Sequence, residues 1–233
     1  MTLALIADLH GNWPATQAVA EDLKRRRVDT IYCLGDCVGK GPQSDLTLDW
    51  ARENCQVILG GNWDYGIGRK HFPADDFYWD QLGPERMDFL LNLPRQHEFT
   101  FGGMKFRLIH GRPVMEKLLF PQEESELFAP YLEGVDAFCY ADSHRPALRT
   151  LNGGYLLNCG SVGNSLGVPK AHYLLLTEHP GGVDFTTVSL NYDNALAAEI
   201  ARNTPQLPNW DAFVQEVTTG IYARKPGKGA TNP

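Results

Sequence analysis

The first sixty residues of this 233-residue chain alternate short apolar runs with amphipathic stretches, and that alternation constrains the fold more than any other feature. Residues 3–7 read as an apolar strand, and Asn12 and Pro14 carry helix-start signals ahead of an amphipathic stretch over 15–27. Residues 30–34 form a second strand, 42–53 a second helix and 56–59 a third strand. Strand, helix, strand, helix, strand in so short a span requires right-handed crossovers and a parallel sheet, whose binding sites lie beyond the carboxyl ends of the strands. Asp8, His10, Asp36 and Asn62 fall at those ends. Asp8 and His10 are two apart, so a strand continued through Asp8 aims both side chains the same way, and Gly11 lets the chain leave sharply.

Residues 66–94 loosen into an aromatic loop carrying Phe72, Phe77, Tyr78 and Trp79, followed by a helix around 85–92. Strands dominate beyond it: a hairpin of 97–101 and 105–109 around Gly102-Gly103, then 135–140, 147–151, 155–157, 172–177 and 184–190. An α/β protein with two sheets packed face to face under outer helices is the economical arrangement. Residues 192–203 and 210–219 read as terminal helices. The expectation is a single domain over 1–222 and a flexible tail over 223–233, rich in Gly, Pro and Lys.

The net charge of -7 argues against an extended nucleic-acid or anionic-membrane surface, because such partners are held by excess Lys and Arg. No apolar run approaches the ~18 residues that span a bilayer. The amino terminus lacks a basic leader, and five cysteines without a Cys-x-x-Cys pair read as reduced thiols, so the expected location is cytoplasmic. Cys37, beside Asp36, reads as small buried filler because neighbouring strand-end residues point apart. Lys24-Arg25-Arg26-Arg27 ends a helix, where cations meet the negative end of the dipole, and reads as a solvated face.

More polar groups stand just after later apolar runs: Gly60-Gly61-Asn62-Trp63-Asp64, His110-Gly111 and Asp142-Ser143-His144. Carboxylates, imidazoles and an amide gathered from several strand ends are the ligand set of a two-metal hydrolytic centre, in which paired ions clamp a phosphoryl group and make hydroxide near neutral pH. A lone Asp-x-His, or a lone His before glycine, is a weak signal. Several such strings in order are far more specific. Arg112 and Arg145, beside these groups, are candidates to fork onto phosphate oxygens.

The ordered strings Asp-x-His, Gly-Asp-x-x-Gly, Gly-Asn-x-Asp, His-Gly and x-x-x-His resemble the calcineurin-like metallophosphoesterase superfamily over roughly residues 1–190. The resemblance implies a four-layer α/β/β/α sandwich of two mixed sheets with outer helices. By position it implies that Asp8, His10, Asp36 and His144 hold one metal and that Asp36, as the bridge, Asn62, His110 and Asp142 hold the second. Asp36, Asn62 and His110 would also be catalytic. Asn158-Cys159-Gly160-Ser161 resembles the Asn-Pro-Gly-Ser stretch of the small bacterial phosphodiesterase branch, which places Ser161 near substrate.

Two departures from the family pattern matter. Trp63 replaces the histidine credited with protonating the leaving group, as in some similar bacterial diadenosine tetraphosphate hydrolases, and an indole is no acid. Asp142 stands where the family has a histidine, which favours harder ions: manganese or iron before zinc or nickel. The implied activity is hydrolysis of phosphodiester or phosphoanhydride bonds in a small phosphorylated substrate, with nucleotides suggested by the stacking surface of Trp63. The rivals are a phosphomonoesterase or protein Ser/Thr phosphatase, and a non-catalytic scaffold on the same fold.

Overall fold

The computed structural model describes residues 1–224, in which ten strands form two five-stranded mixed sheets. In the first sheet β1 (Thr2–Ile6), β2 (Thr30–Cys33) and β3 (Val57–Ile58) run parallel, joined by α1 (Trp13–Arg26) and α2 (Ser44–Asn54). Its second sheet is built from β4 (Gln96–Phe101), β5 (Met104–Ile109), β6 (Ala137–Tyr140), β7 (Ala147–Leu151) and β8 (Gly154–Asn158), in the order β4-β5-β6-β8-β7. The chain then returns to the first sheet, where β9 (Ala171–His179) pairs antiparallel with β1 and with β10 (Gly182–Leu190).

Period-two alternation assigns each face. Leu3, Leu5 and Ala7 meet Phe106, Leu108, Ala137, Cys139 and Leu157 in a core between the sheets. Ala4 and Ile6 point the other way, against Val19 of α1 and Leu48 of α2. They also meet Ala198 of α6 (Asn194–Arg202) and Phe213 of α7 (Trp210–Thr219). The outer face of the second sheet, Phe138, Tyr140 and Leu156, is covered by Met115, Leu119, Phe128 and Leu132. That fourth layer holds little helix: a turn over Ser125–Leu127 and α5 (Ala129–Leu132). Because β1 is apolar on both faces, burying its side chains anchors the sandwich, each Leu or Ile contributing about 1.5–3 kcal/mol.

The structure corrects two expectations. β1 stops at Ile6, so Asp8 and His10 lie in the turn beyond the strand rather than in its pleat. The supposed aromatic loop is largely helical: α3 (Asn62–Gly68) and α4 (Asp76–Leu91), which carries Phe77, Tyr78 and Trp79. Gly66, Gly68 and Pro84 hide the helical period, and Gly83, at φ 68° and ψ 174° before Pro84, is non-helical and divides α4 into two helical segments, the second of which matches the helix expected around 85–92. The expected tail begins with anchored residues, since the Ala223 N–H and Arg224 Nε both bond the buried Glu216. Residues 225–233 lie outside the described residues.

Candidate metal centre

The strand ends deliver their polar side chains through unusual backbone. Asp8, His10, Asp36, Asp142 and His144 all have left-handed φ, at 55°, 47°, 53°, 59° and 57°. Such conformations cost a non-glycine residue of order 1 kcal/mol or more each and persist only when neighbours over-determine them. Here cross-loop hydrogen bonds do so: Asp8 N–H to Gly35 O at 2.9 Å, His10 N–H to Asp36 O at 3.1 Å and Gly163 N–H to Asp8 O at 2.8 Å. Strand β6 leads in the same way to Asp142 and His144, and β5 to His110.

Three imidazoles are oriented alike. Nδ1 of His10 faces Val38 O at 3.2 Å, that of His110 faces Leu34 O at 2.9 Å, and that of His144 faces Asn164 O at 2.5 Å. A carbonyl only accepts, so each Nδ1 carries a proton and each Nε2 is presented inward, the arrangement typical of metal-binding histidines. There the His10 and His144 Nε2 atoms lie 3.2 Å apart. Burial and the charge of Lys40 hold both rings well below the usual histidine pKa, so both are neutral. Two lone pairs therefore face each other at contact distance, with the Lys40 ammonium 3.3 Å from the His144 one, so the pocket between them favours positive charge. His144 Nε2 and His10 Nε2 also stand 3.4 and 3.7 Å from Asp8 Oδ1.

Asp36 joins this group to the next. Its Oδ2 lies 3.6 Å from His10 Nε2 and 3.4 Å from His110 Nε2. Its Oδ1 accepts the Trp63 N–H of the first turn of α3 at 2.9 Å, which locks the carboxylate to the helix carrying Asn62. Asp8, His10 and His144 form one cluster with donor atoms within 4.8 Å of one another, and Asp8, Asp36 and His110 a second. Both Asp8 oxygens, Asn62 Oδ1 and His110 Nε2 are buried and make no hydrogen bond among the described residues. Orphaned buried polar atoms are costly, and metal coordination satisfies every one of these at once. The donor set therefore fits a pair of metal ions.

Electrostatics agree. Burial pushes Asp8 well above the usual carboxylate range, with Asp36 adding to the effect and His110 opposing it. Burial alone would lower His110, but Asp36, Asp8 and Asp142 outweigh it and hold the ring up to about 10. The protein without metal thus keeps a proton where a cation is wanted, and metal binding must release it.

The remaining expected residues fall into distinct places. Asp142 is spoken for by Arg112: Nε to Oδ2 at 2.9 Å, Nη2 to Oδ1 at 2.8 Å and the Arg112 N–H to Oδ2 at 3.1 Å. Burial would raise its pKa, and the Arg112 bonds outweigh that and keep it below the usual carboxylate value. Asp142 Oδ1 is 4.0 Å from His110 Nε2, so this carboxylate borders the cluster while forked by a guanidinium. The Ser161 hydroxyl donates to Asp8 O and accepts from the Asn164 N–H, both at 2.9 Å, which makes it a brace for the donor loop. Arg145 is exposed and lies over the Phe120 ring at 5.1 Å. Trp63 stands edge-on to His10 with ring centroids 5.8 Å apart, as a wall of the site.

Several residues escaped the sequence reading. The fully buried Asp64 accepts from the N–H groups of Asp36 at 2.7 Å, Cys37 at 3.0 Å and Gly61 at 3.0 Å, binding the loop of Asp36 to the start of α3. It closes the Gly-Asn-x-Asp string, which was the available signal. Lys40 sits beside His144, and Glu216 is fully buried although it belongs to a terminal helix. Their spacing from the donors gives no sign of either.

Comparison with known proteins agrees with this architecture. Residues 1–180 match the family described as the calcineurin-like phosphoesterase superfamily domain. The chain is 31% identical to the uncharacterized protein MJ0912 of Methanocaldococcus jannaschii, over 89% of this chain and 94% of that one. It is 24% identical to phosphodiesterase YfcE of Escherichia coli K12, covering 87% and 99%. The crystal structure of a metallophosphoesterase from Sphaerobacter thermophilus superposes with a TM-score of 0.79 at 23% identity, covering 95% and 99%. Ordered motifs, two mixed sheets and converging donors lead to one conclusion: the chain belongs to the calcineurin-like phosphoesterase superfamily and is a metal-dependent phosphoesterase.

Proposed function

We propose that the protein is a cytoplasmic phosphohydrolase that cleaves phosphodiester or phosphoanhydride bonds in a small phosphorylated substrate, nucleotides included. The observation that carries the proposal is the set of buried, unpartnered donor atoms on Asp8, Asn62 and His110 beside the converging Nε2 atoms. Asp8, His10, Asp36 and His144 would hold one ion, and Asp36, Asn62 and His110 a second. Manganese or iron before zinc or nickel would suit this mixed set of carboxylate, amide and imidazole donors with the Asp142 carboxylate at its border. Two such ions supply positive charge for the phosphoryl oxygens and acidify water for attack on phosphorus.

The chain contributes orientation and exclusion. The Nδ1–carbonyl contacts fix the imidazole planes, and the Trp63 N–H bond ties the Asp36 carboxylate, which would be shared by the two ions, to the first turn of α3 beside Asn62. Trp63 walls one side of the site and offers the leaving oxygen no acidic proton. Losing a general acid worth about 10²–10⁴ in rate is tolerable only where the leaving group departs as a stable anion.

The expected result is therefore a steep dependence of kcat/KM on leaving-group pKa in the wild-type enzyme. Trp63→His should flatten it, with the largest gain, about 100-fold, for the poorest leaving group. The measurement is kcat/KM over matched aryl and alkyl phosphate mono- and diesters for both proteins. Equal slopes, or a wild type that prefers alkyl monoesters, would replace this proposal with a phosphomonoesterase.

A further inference from the structure

Beyond the metal donors, the Gly39–Pro42 turn and the end of the described chain bring two cations to one indole. Lys40 Nζ lies 5.8 Å from the Trp63 ring centroid, and the Arg224 guanidinium carbon lies 5.6 Å from it. Both are held in place. Lys40 is 6% exposed, and its Nζ donates to Asn164 Oδ1 at 3.0 Å and lies 3.3 Å from His144 Nε2. Arg224 Nη2 donates to Lys40 O at 3.3 Å, and its Nε reaches Glu216 Oε2 at 3.4 Å. Glu216 also accepts from Asn164 Nδ2 at 3.0 Å and from the Ala223 N–H at 3.2 Å.

Glu216 bonds the Arg224 guanidinium and Asn164, the amide that holds Lys40, while the Asp8 and Asp36 carboxylates that also attract Lys40 belong to the donor set that metal ions would neutralise. The repulsion between the two cations is strongest when no anion lies between them. His144 Nε2 belongs to the proposed metal donors, so a loaded centre takes from Lys40 one of its two partners. Nearby, the Tyr78 hydroxyl is fully buried within the field of Arg224 and Asp75, and it has no hydrogen-bond partner among the described residues. An aromatic face flanked by two cations at the edge of a phosphoryl centre fits an anion that continues from the reacting group.

We infer that Lys40, Arg224 and Trp63 form an anion subsite for a second phosphate, adjoining the one under attack, so that the preferred substrates carry a phosphoanhydride chain. The inference rests on the phosphohydrolase proposal for the identity of the neighbouring centre. Arg224 acts here as a binding residue, and Glu216 as the residue that positions it.

The test is calorimetric binding of two probes, orthophosphate and the non-hydrolysable imidodiphosphate, to the manganese-loaded full-length chain, beside hydrolysis of bis(4-nitrophenyl) phosphate. Metal chelation alone gives imidodiphosphate some advantage, so the decisive quantity is the ratio of the two Kd values. Arg224→Ala should cut the preference for imidodiphosphate about tenfold, and Arg224→Lys should restore part of it. An unchanged ratio in Arg224→Ala, melting as the wild type does, overturns the subsite; should that variant melt early, an unchanged ratio in a well-folded Arg224→Gln does the same. An Arg224-dependent preference in a protein without metal-dependent hydrolysis upholds the subsite and overturns the phosphohydrolase proposal. Hydrolysis with an Arg224-independent preference does the reverse.

Discussion

Asp36→Asn is expected to lower kcat/KM for an activated phosphodiester by well over about 100-fold while the protein melts near the wild-type temperature. The substitution separates two jobs of one side chain. Oδ1 accepts the Trp63 N–H at 2.9 Å, and the amide oxygen of asparagine can keep that bond, so α3 stays in register. Oδ2, between His10 Nε2 at 3.6 Å and His110 Nε2 at 3.4 Å, becomes an NH2 group with no lone pair for a metal. Changing a group that merely supports a ligand costs about 10–100-fold, so loss of the shared carboxylate must cost more. Metal content measured on the same sample should fall with the activity. Wild-type turnover in metal-replete Asp36→Asn would exclude a bridging role.

Gly61→Ala should be nearly as damaging for a different reason. Gly61 has φ -94° and ψ 177°, a conformation alanine adopts freely, so backbone strain plays no part. The obstacle is steric: a Cβ there would lie 2.1 Å from Asp36 Oδ1 and 2.8 Å from both its Cγ and its backbone N. Either the carboxylate or the start of α3 must move. Displacing a catalytic group by 1 Å costs about 10²-fold in rate, and overpacking a dense site costs about 1–3 kcal/mol of stability. Gly66→Ala, in the same helix with nothing within 4 Å of its Cβ, is the control and should keep full activity with a gain of about 0.5–1 kcal/mol. Activity in Gly61→Ala equal to that of Gly66→Ala would show that Asp36 tolerates displacement.

The parallel half of the fold was readable because the period of the apolar runs is undisturbed up to Leu59 and every donor follows such a run. The helical turns of α3 and the first part of α4 were not, since Gly66 and Gly68 blur the period of one and Gly83 breaks the other, whereas the segment after Pro84, α6 and α7 were readable. Ordered short strings placed Asp8, His10, Asp36, His110 and His144 together, yet not by strand pleating: left-handed turns aim all of these but His110, and no pattern of residue types announces a positive φ at aspartate or histidine. Pairings across long sequence distance were invisible. Arg112 is thirty residues from the Asp142 it grips, and Glu216 looks like an ordinary helix surface residue until its burial behind Asn164 and Arg224 is seen. The motif around Ser161 likewise gives no sign that its hydroxyl braces the turn of Asp8 against Asn164.

The most direct test of the central claim is a calorimetric titration of chelator-stripped protein with manganese, followed in parallel by hydrolysis of bis(4-nitrophenyl) phosphate. Two ions per chain should bind, with protons released as His110 gives up the charge it holds up to about 10. Hydrolysis should be absent from the stripped protein and appear as the second ion binds. Hydrolysis that survives chelation, or a protein that takes up no metal, would contradict the account.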